Sequence, residues 1–204
     1  MIKREQYLNK LIQFRDKQLI KVISGIRRCG KSTLFELYQS YLKSQGVADN
    51  QIISINFEDL QFENLLDYKK LYEYVVKKIS KTKKTYIFLD EIQHVKEFQK
   101  AVDSLFIIKN ADVYITGSNA YILSGELATL LSGRYIEIEM LPLSFKEYLD
   151  FEDKKSYKKE KFKEYLKYGS FPYITALDNK QGSNNGIFER NIQYRFIKGC
   201  CCQK

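Results

Sequence analysis

Nine residues, Gly25-Ile26-Arg27-Arg28-Cys29-Gly30-Lys31-Ser32-Thr33, constrain this chain more than any other stretch. They match the phosphate-loop pattern G-x-x-x-x-G-K-[ST] at every fixed position. The flanks supply the context that the pattern needs. Leu19 to Ser24 is a short β-branched run suited to a buried strand, and Leu34, Leu37, Tyr38, Tyr41 and Leu42 recur at helical spacing after it. Strand, glycine loop and helix in that order turn backbone N–H groups and a helix dipole toward an anion. Gly25 and Gly30 allow a close backbone approach that a Cβ would forbid. Lys31 reaches the β- and γ-phosphates as a point charge. The Ser32 hydroxyl stands where a Mg²⁺ ligand belongs, and Thr33 supports the α-phosphate. The stretch as a whole, Gly25, Ile26, Arg27, Arg28, Cys29, Gly30, Lys31, Ser32 and Thr33, is the candidate nucleotide site. Cys29 within it reads as a small loop filler or as a thiol that makes binding sensitive to oxidation.

A chain of 204 residues with 44% hydrophobic content has room for one α/β domain with a core and a small appendage. No apolar run approaches the length of a membrane span, and Met1 to Glu5 lacks the apolar centre of a signal peptide. The expectation is a cytoplasmic protein. The formal charge of +9 suits attraction to nucleic acid or another polyanion. Lysines spread over solvated faces explain it as well and are preferred, because the densest basic run, 154–161, is broken by Glu160 and carries no ladder of aromatics for bases.

Thr85-Tyr86-Ile87-Phe88-Leu89-Asp90-Glu91 is the second informative stretch. An unbroken apolar run fits a central parallel strand covered on both faces, and open α/β sheets bind ligands at the carboxyl ends of such strands. This is the Walker B arrangement. Asp90 holds the Mg²⁺ shell, and Glu91 orients and deprotonates an attacking water. Asp112 to Ser118 is a further buried strand, ending in Asn119. Asn119, and after it Ser118, is placed to bond a γ-phosphate or the water, although Gly117-Ser118-Asn119 also reads as a plain turn. Arg134 precedes an alternating strand, 135–140. It reads either as a cation for charge developing in the transition state, in its own subunit or across an interface, or as a surface arginine. Further helices are expected over residues 2–17, around Leu71 to Ile79, around Phe98 to Leu105, from Phe145 behind a Ser144/Glu147 capping box, and around Phe162 to Leu166 with Gly169 as its stop. Strand 51–57 lies between the first two motifs. His94, the only histidine, reads as a surface or packing residue.

These motifs, with Ile55-Asn56-Phe57-Glu58-Asp59, Leu131-Ser132-Gly133-Arg134, Leu141-Pro142-Leu143-Ser144-Phe145 and Gly169-Ser170-Phe171-Pro172, fall in one order over residues 1–175. In that order the chain resembles the N-terminal half of the prokaryotic AAA-type P-loop ATPases that carry a further C-terminal domain of winged-helix-like character. The resemblance implies an α/β three-layer sandwich of the additional-strand class, with a central parallel sheet of order 5-1-4-3-2 followed by a small helical segment. It implies ATP and Mg²⁺, which agree with the residues read above, Ser32 and Asp90 for the metal and Glu91, Lys31, Asn119 and, on one of its two readings, Arg134 for catalysis. The expected division is a core over 1–142, a helical extension over 143–175 and a disordered or out-of-frame tail over 176–204.

The tail departs from that family. Cys200, Cys201 and Cys202 invite a metal or redox reading, which is set aside for a frameshift near Glu189-Arg190 followed by an early stop. Three functions follow as expectations: an Mg²⁺-dependent ATPase; a nucleotide-dependent switch or adaptor, acting on nucleic acid or protein with little turnover; and an inactive truncated remnant. A small-molecule kinase fits less well, because Glu91 beside Asp90 suits water activation.

Overall fold

The computed structural model describes residues 4–118, 131, 133–152 and 158–172. Asn119 and the 176–204 tail lie outside the described residues. Packing divides the chain after Leu141, with residues 3–141 in one compact unit and the segment from Pro142 in another.

The first unit is built on five parallel strands, β1 (Ile20–Gly25), β2 (Ile52–Asn56), β3 (Thr85–Asp90), β4 (Ala111–Ser118) and β5 (Tyr135–Met140), in the order β2-β3-β4-β1-β5. Read from the other edge, this is the expected 5-1-4-3-2. β1 and β3 are buried throughout, which explains the unbroken apolar run of β3, whereas β5 at the edge alternates toward solvent.

The two faces differ in chemistry. Side chains alternate across a strand, so Ile87 and Leu89 of β3 and Val113 and Ile115 of β4 face one way. They pack with α3 (Tyr68–Lys78) and α4 (Phe98–Phe106) in an aliphatic core. Tyr86 and Phe88 of β3 and Tyr114 of β4 face the other way, against α1 (Glu5–Gln13) and α2 (Lys31–Ser44). Here the packing is aromatic. Phe88 stacks on Tyr114 at 4.9 Å between ring centroids, and Phe35 and Tyr38 of α2 meet this pair at 5.1 and 5.2 Å.

Helix α1 is shorter than the 2–17 expected. It stops at Gln13 because residues beyond it turn into the sheet, where the Asp16 N–H donates to Asp112 Oδ2 at 2.9 Å. Asp112 is a buried hub. It also accepts from the Tyr114 hydroxyl at 2.8 Å and from Lys21 Nζ, and both partners of that ion pair are sealed from solvent. Burial pulls the Lys21 ammonium below its ordinary pKa, opposed by Asp112. Helix α3 starts at Asp67, whose carboxylate accepts from the N–H groups of Lys69 and Lys70 at 3.0 and 3.2 Å. His94 is exposed in a single 3₁₀ turn, Ile92–His94.

In the second unit, α5 (Phe145–Glu152) begins where the capping box places it. The Ser144 N–H donates to Glu147 Oε2 at 2.8 Å, and the Glu147 N–H donates to Ser144 Oγ at 3.3 Å. Helix α6 (Lys158–Tyr168) stops at Gly169, which has φ 89° and returns its N–H to the Tyr165 carbonyl at 3.0 Å. Phe145, Tyr148, Phe162 and Tyr165 join the two helices edge to face, and the Tyr165 hydroxyl donates to the Leu143 carbonyl at 2.9 Å.

Candidate nucleotide site

The phosphate loop leaves the carboxyl end of β1 and enters α2 through Gly30, which has φ 102°. The N-cap residue Gly30 offers no side-chain cap to α2, and the first turn holds no acid, so among the described residues its leading N–H groups remain available to an anion. The loop rests on the exit of β5. A Cβ on Gly25 would stand 2.4 Å from the Met140 carbonyl oxygen and 2.9 Å from Cys29 Sγ, so glycine is required by contact. Arg4, buried at the start of α1, donates from Nη2 to the Leu141 carbonyl at 2.5 Å and from Nη1 to the Cys29 carbonyl at 3.5 Å. Its guanidinium lies 4.8 Å from the Tyr7 ring centroid, and the Tyr7 hydroxyl accepts the Leu141 N–H at 3.2 Å. Burial raises the pKa of the Cys29 thiol, which opposes thiolate formation and gives the oxidation reading no support. Arg27 pairs with Glu58 at 2.8 Å on the exposed side of the loop, and Arg28 is exposed with φ 68°.

Lys31, Ser32, Asp90 and Glu91 come together. Lys31 Nζ, 3% exposed, lies 3.3 Å from the Gly25 carbonyl, 3.4 Å from that of Ile26 and 3.4 Å from Glu91 Oε1. Strand parity turns Asp90 toward the α2 face, the side from which Ser32, the second residue of α2, lowers the pKa of its carboxyl. Burial raises the Asp90 carboxyl above its ordinary range, opposed by hydrogen bonds from Ser32 and Thr116. Glu91 follows with φ 53°, a left-handed conformation that is rare outside glycine, asparagine and aspartate. Gln93 Nε2 donates to its Oε2. The Ser32 hydroxyl and the Asp90 carboxylate, brought to the same end of the sheet, are hard oxygen donors of the kind Mg²⁺ takes together with nucleotide phosphates and water. Among the described residues, no group of three or more His, Cys, Asp or Glu forms a separate metal cage.

Arg134 is not in this cluster. In a parallel sheet all strand starts share one end, and Arg134 precedes β5 at that end, its carbonyl accepting the Ile20 N–H at 2.8 Å. The phosphate loop lies at the other end. Ile20 pairs with Tyr135 and Gly25 with Met140, a separation of about 17 Å at the usual strand rise. The Arg134 guanidinium instead pairs with Asp103 of α4 and lies 5.9 Å from the Phe106 ring centroid.

Two residues near the site escaped the sequence reading. Thr116, fully buried in β4, donates its hydroxyl proton to Asp90 Oδ1 and accepts the Glu91 N–H at 2.9 Å. Counting parity along β3 and β4 from a paired register would have put Thr116 on the same face as Asp90. Arg4 carried no local signal, since its partners lie 25 and 137 residues away.

A family model described as an AAA domain matches residues 17–149. A Haemophilus influenzae protein of unassigned role is 46% identical over 195 residues, covering 93% of this chain and 49% of its own length. A Methanocaldococcus jannaschii protein is 38% identical over 199 residues, covering 86% of this chain and 42% of its own. The chain thus spans about half the length of the curated relatives it matches. Among solved structures, a Walker-type ATPase of Pyrococcus abyssi superposes with TM-score 0.59 at 16% identity, covering 98% of this chain and 73% of that one. Hsp104 of Saccharomyces cerevisiae, in its complex with casein, gives 0.51 at 17% identity over 72% of this chain and 28% of its own. At such identities the likeness is one of fold.

Proposed function

We propose an ATPase, on the ground that the chain belongs to the AAA-domain family and carries the parts that ATP hydrolysis needs. The observation that carries this reading is the convergence of Lys31, Ser32, Asp90 and Glu91 on the N-terminal end of α2. The open N–H groups of the loop and of α2 bind the phosphates, and Lys31 adds a fixed positive charge between the loop and Glu91. Ser32 and Asp90 are the residues that would hold Mg²⁺, which when bound would supply positive charge against the nucleotide's phosphates. Glu91 accepts the proton of the attacking water. Asn119, directly after β4, is assigned to bonding the water or the γ-phosphate. Arg134, at the far end of the sheet from its own loop, is assigned to the site of a neighbouring copy, and this assignment is what remains of its expected catalytic role.

The test is Glu91→Gln. The neutral amide keeps the size of the side chain and removes the base. Phosphate release should fall at least 100-fold, within the ~10²–10⁴ range of general-base catalysis, while binding of a fluorescent ATP analogue persists. Equal turnover in the two proteins would refute the assignment.

A further inference from the structure

The geometry points to Thr116 as a positioning residue that couples the metal-binding carboxylate to the catalytic glutamate through one hydroxyl group. The direction of its bonds is fixed. A backbone N–H only donates, so the Glu91 amide must give its proton to Thr116 Oγ1, at 2.9 Å. A threonine hydroxyl has a single proton. That proton goes to Asp90 Oδ1. The arrangement therefore orients the Asp90 carboxylate and secures the backbone of the next residue with the same atom.

The backbone so secured is an unusual one. Glu91 has φ 53°, a conformation that persists only when its surroundings hold it. Its N–H has no strand partner at this point, because the β3–β4 pairing ends at Leu89 and Ile115. Thr116 supplies the bond from the neighbouring strand instead. The residue is fully buried, one step beyond the last position at which β4 pairs with β3, so its hydroxyl cannot reach solvent for a substitute partner. Movement of Asp90 with its metal is thus transmitted to the carboxylate that activates water, and the two acids adjust together.

This role rests on the ATPase reading above, and its test separates the two. Thr116→Val keeps the β-branch and the volume but removes both hydrogen bonds. Thr116→Ser keeps the hydroxyl. Partners of metal ligands typically change metal affinity or activity by about 10- to 100-fold, so Thr116→Val should weaken Mn²⁺ binding to the ATP-loaded protein and lower kcat by such factors, with KM for ATP within about threefold of the parent. Thr116→Ser should stay within about threefold on both measures. A crystal structure of the valine variant should show Glu91 leaving positive φ. Parent-like Mn²⁺ affinity and kcat in Thr116→Val would overturn the proposal, and so would equal losses in the serine and valine variants. If the valine variant does not fold, Thr116→Ser against Thr116→Ala makes the same comparison. Failure of the ATPase reading is distinct: the parent then releases no phosphate, while the Mn²⁺ and φ differences between valine and serine variants still decide the role of Thr116.

Discussion

Gly25→Ala tests whether the phosphate loop is seated on β5 by contact. The added Cβ would lie 2.4 Å from the Met140 carbonyl oxygen, about an ångström inside the 3.4 Å at which ordinary contact begins. That oxygen has little freedom to yield. Met140 is fully buried, pairs in register with Gly25, and is followed by Leu141, whose carbonyl Arg4 holds. Overpacking of this kind costs about 1–3 kcal/mol, and the φ of +156° at Gly25 adds a conformational penalty of about 1–3 kcal/mol. At ~2–4 °C per kcal/mol for a chain of this size, the melting temperature should fall by about 5–20 °C. Gly46→Ala is the matched control. Its φ is +85°, but nothing lies within 4 Å of its Cβ, so only a conformational cost of about 1–2 kcal/mol applies. Thermal unfolding followed by far-ultraviolet circular dichroism reads both. A fall in Gly25→Ala no larger than that in Gly46→Ala would show that the β5 exit moves aside, and the seating argument would fail.

Three further substitutions probe buried charge and its partners. The folded-state pKa of Asp90 is raised above its unfolded 3.8, so the folded chain holds a proton that the unfolded chain has lost, and stability falls as pH rises from 3.8 through the raised value. Asp90→Asn should therefore raise the melting temperature of the nucleotide-free protein at pH 7 and abolish turnover, the stability gain vanishing below pH 3.8; a lower melting temperature at pH 7 would count against burial as the dominant cause. Asp112→Ala strands the buried Lys21 ammonium with the Lys17 carbonyl at 2.8 Å as its remaining bond among the described residues, a loss of about 3–5 kcal/mol, whereas Tyr114→Phe removes one donor to a charged acceptor, worth about 1.5–3 kcal/mol. Urea denaturation should rank them in that order, and the reverse order would remove Asp112 as the hub.

What could be read in advance was local chemistry at fixed spacing. The loop from Gly25 to Thr33, the apolar run before Asp90, the Ser144/Glu147 box and the stop at Gly169 each carry their cause within a few residues. The rest depended on register. Lys21 sits in a run that reads as apolar strand, and only the β1–β4 pairing, which sets it beside Tyr114, brings it to Asp112. Thr116 likewise gains meaning from its position across from Asp90 and from the left-handed turn at Glu91, neither of which has a marker in the residues themselves. Arg134 shows the converse. Proximity to strand β5 in sequence is legible, but which end of a parallel sheet a residue occupies follows from strand direction, and it occupies the start.

The strand order also sets when the nucleotide site can come into being during synthesis. Among the described residues β1 pairs only with β4 and β5, so the strand that delivers the phosphate loop gains its first sheet partner once residues 111–118 have been made, and the loop gains its seat once Met140 follows. At ~5–20 residues per second, the ribosome takes roughly 6 to 23 s to travel from Gly25 to Met140. For that interval an apolar strand and an unseated glycine loop wait for neighbours, while β2 and β3 already have each other. The candidate phosphate loop is thus translated before the two strands that give it its shape, and its seat on β5 is completed last.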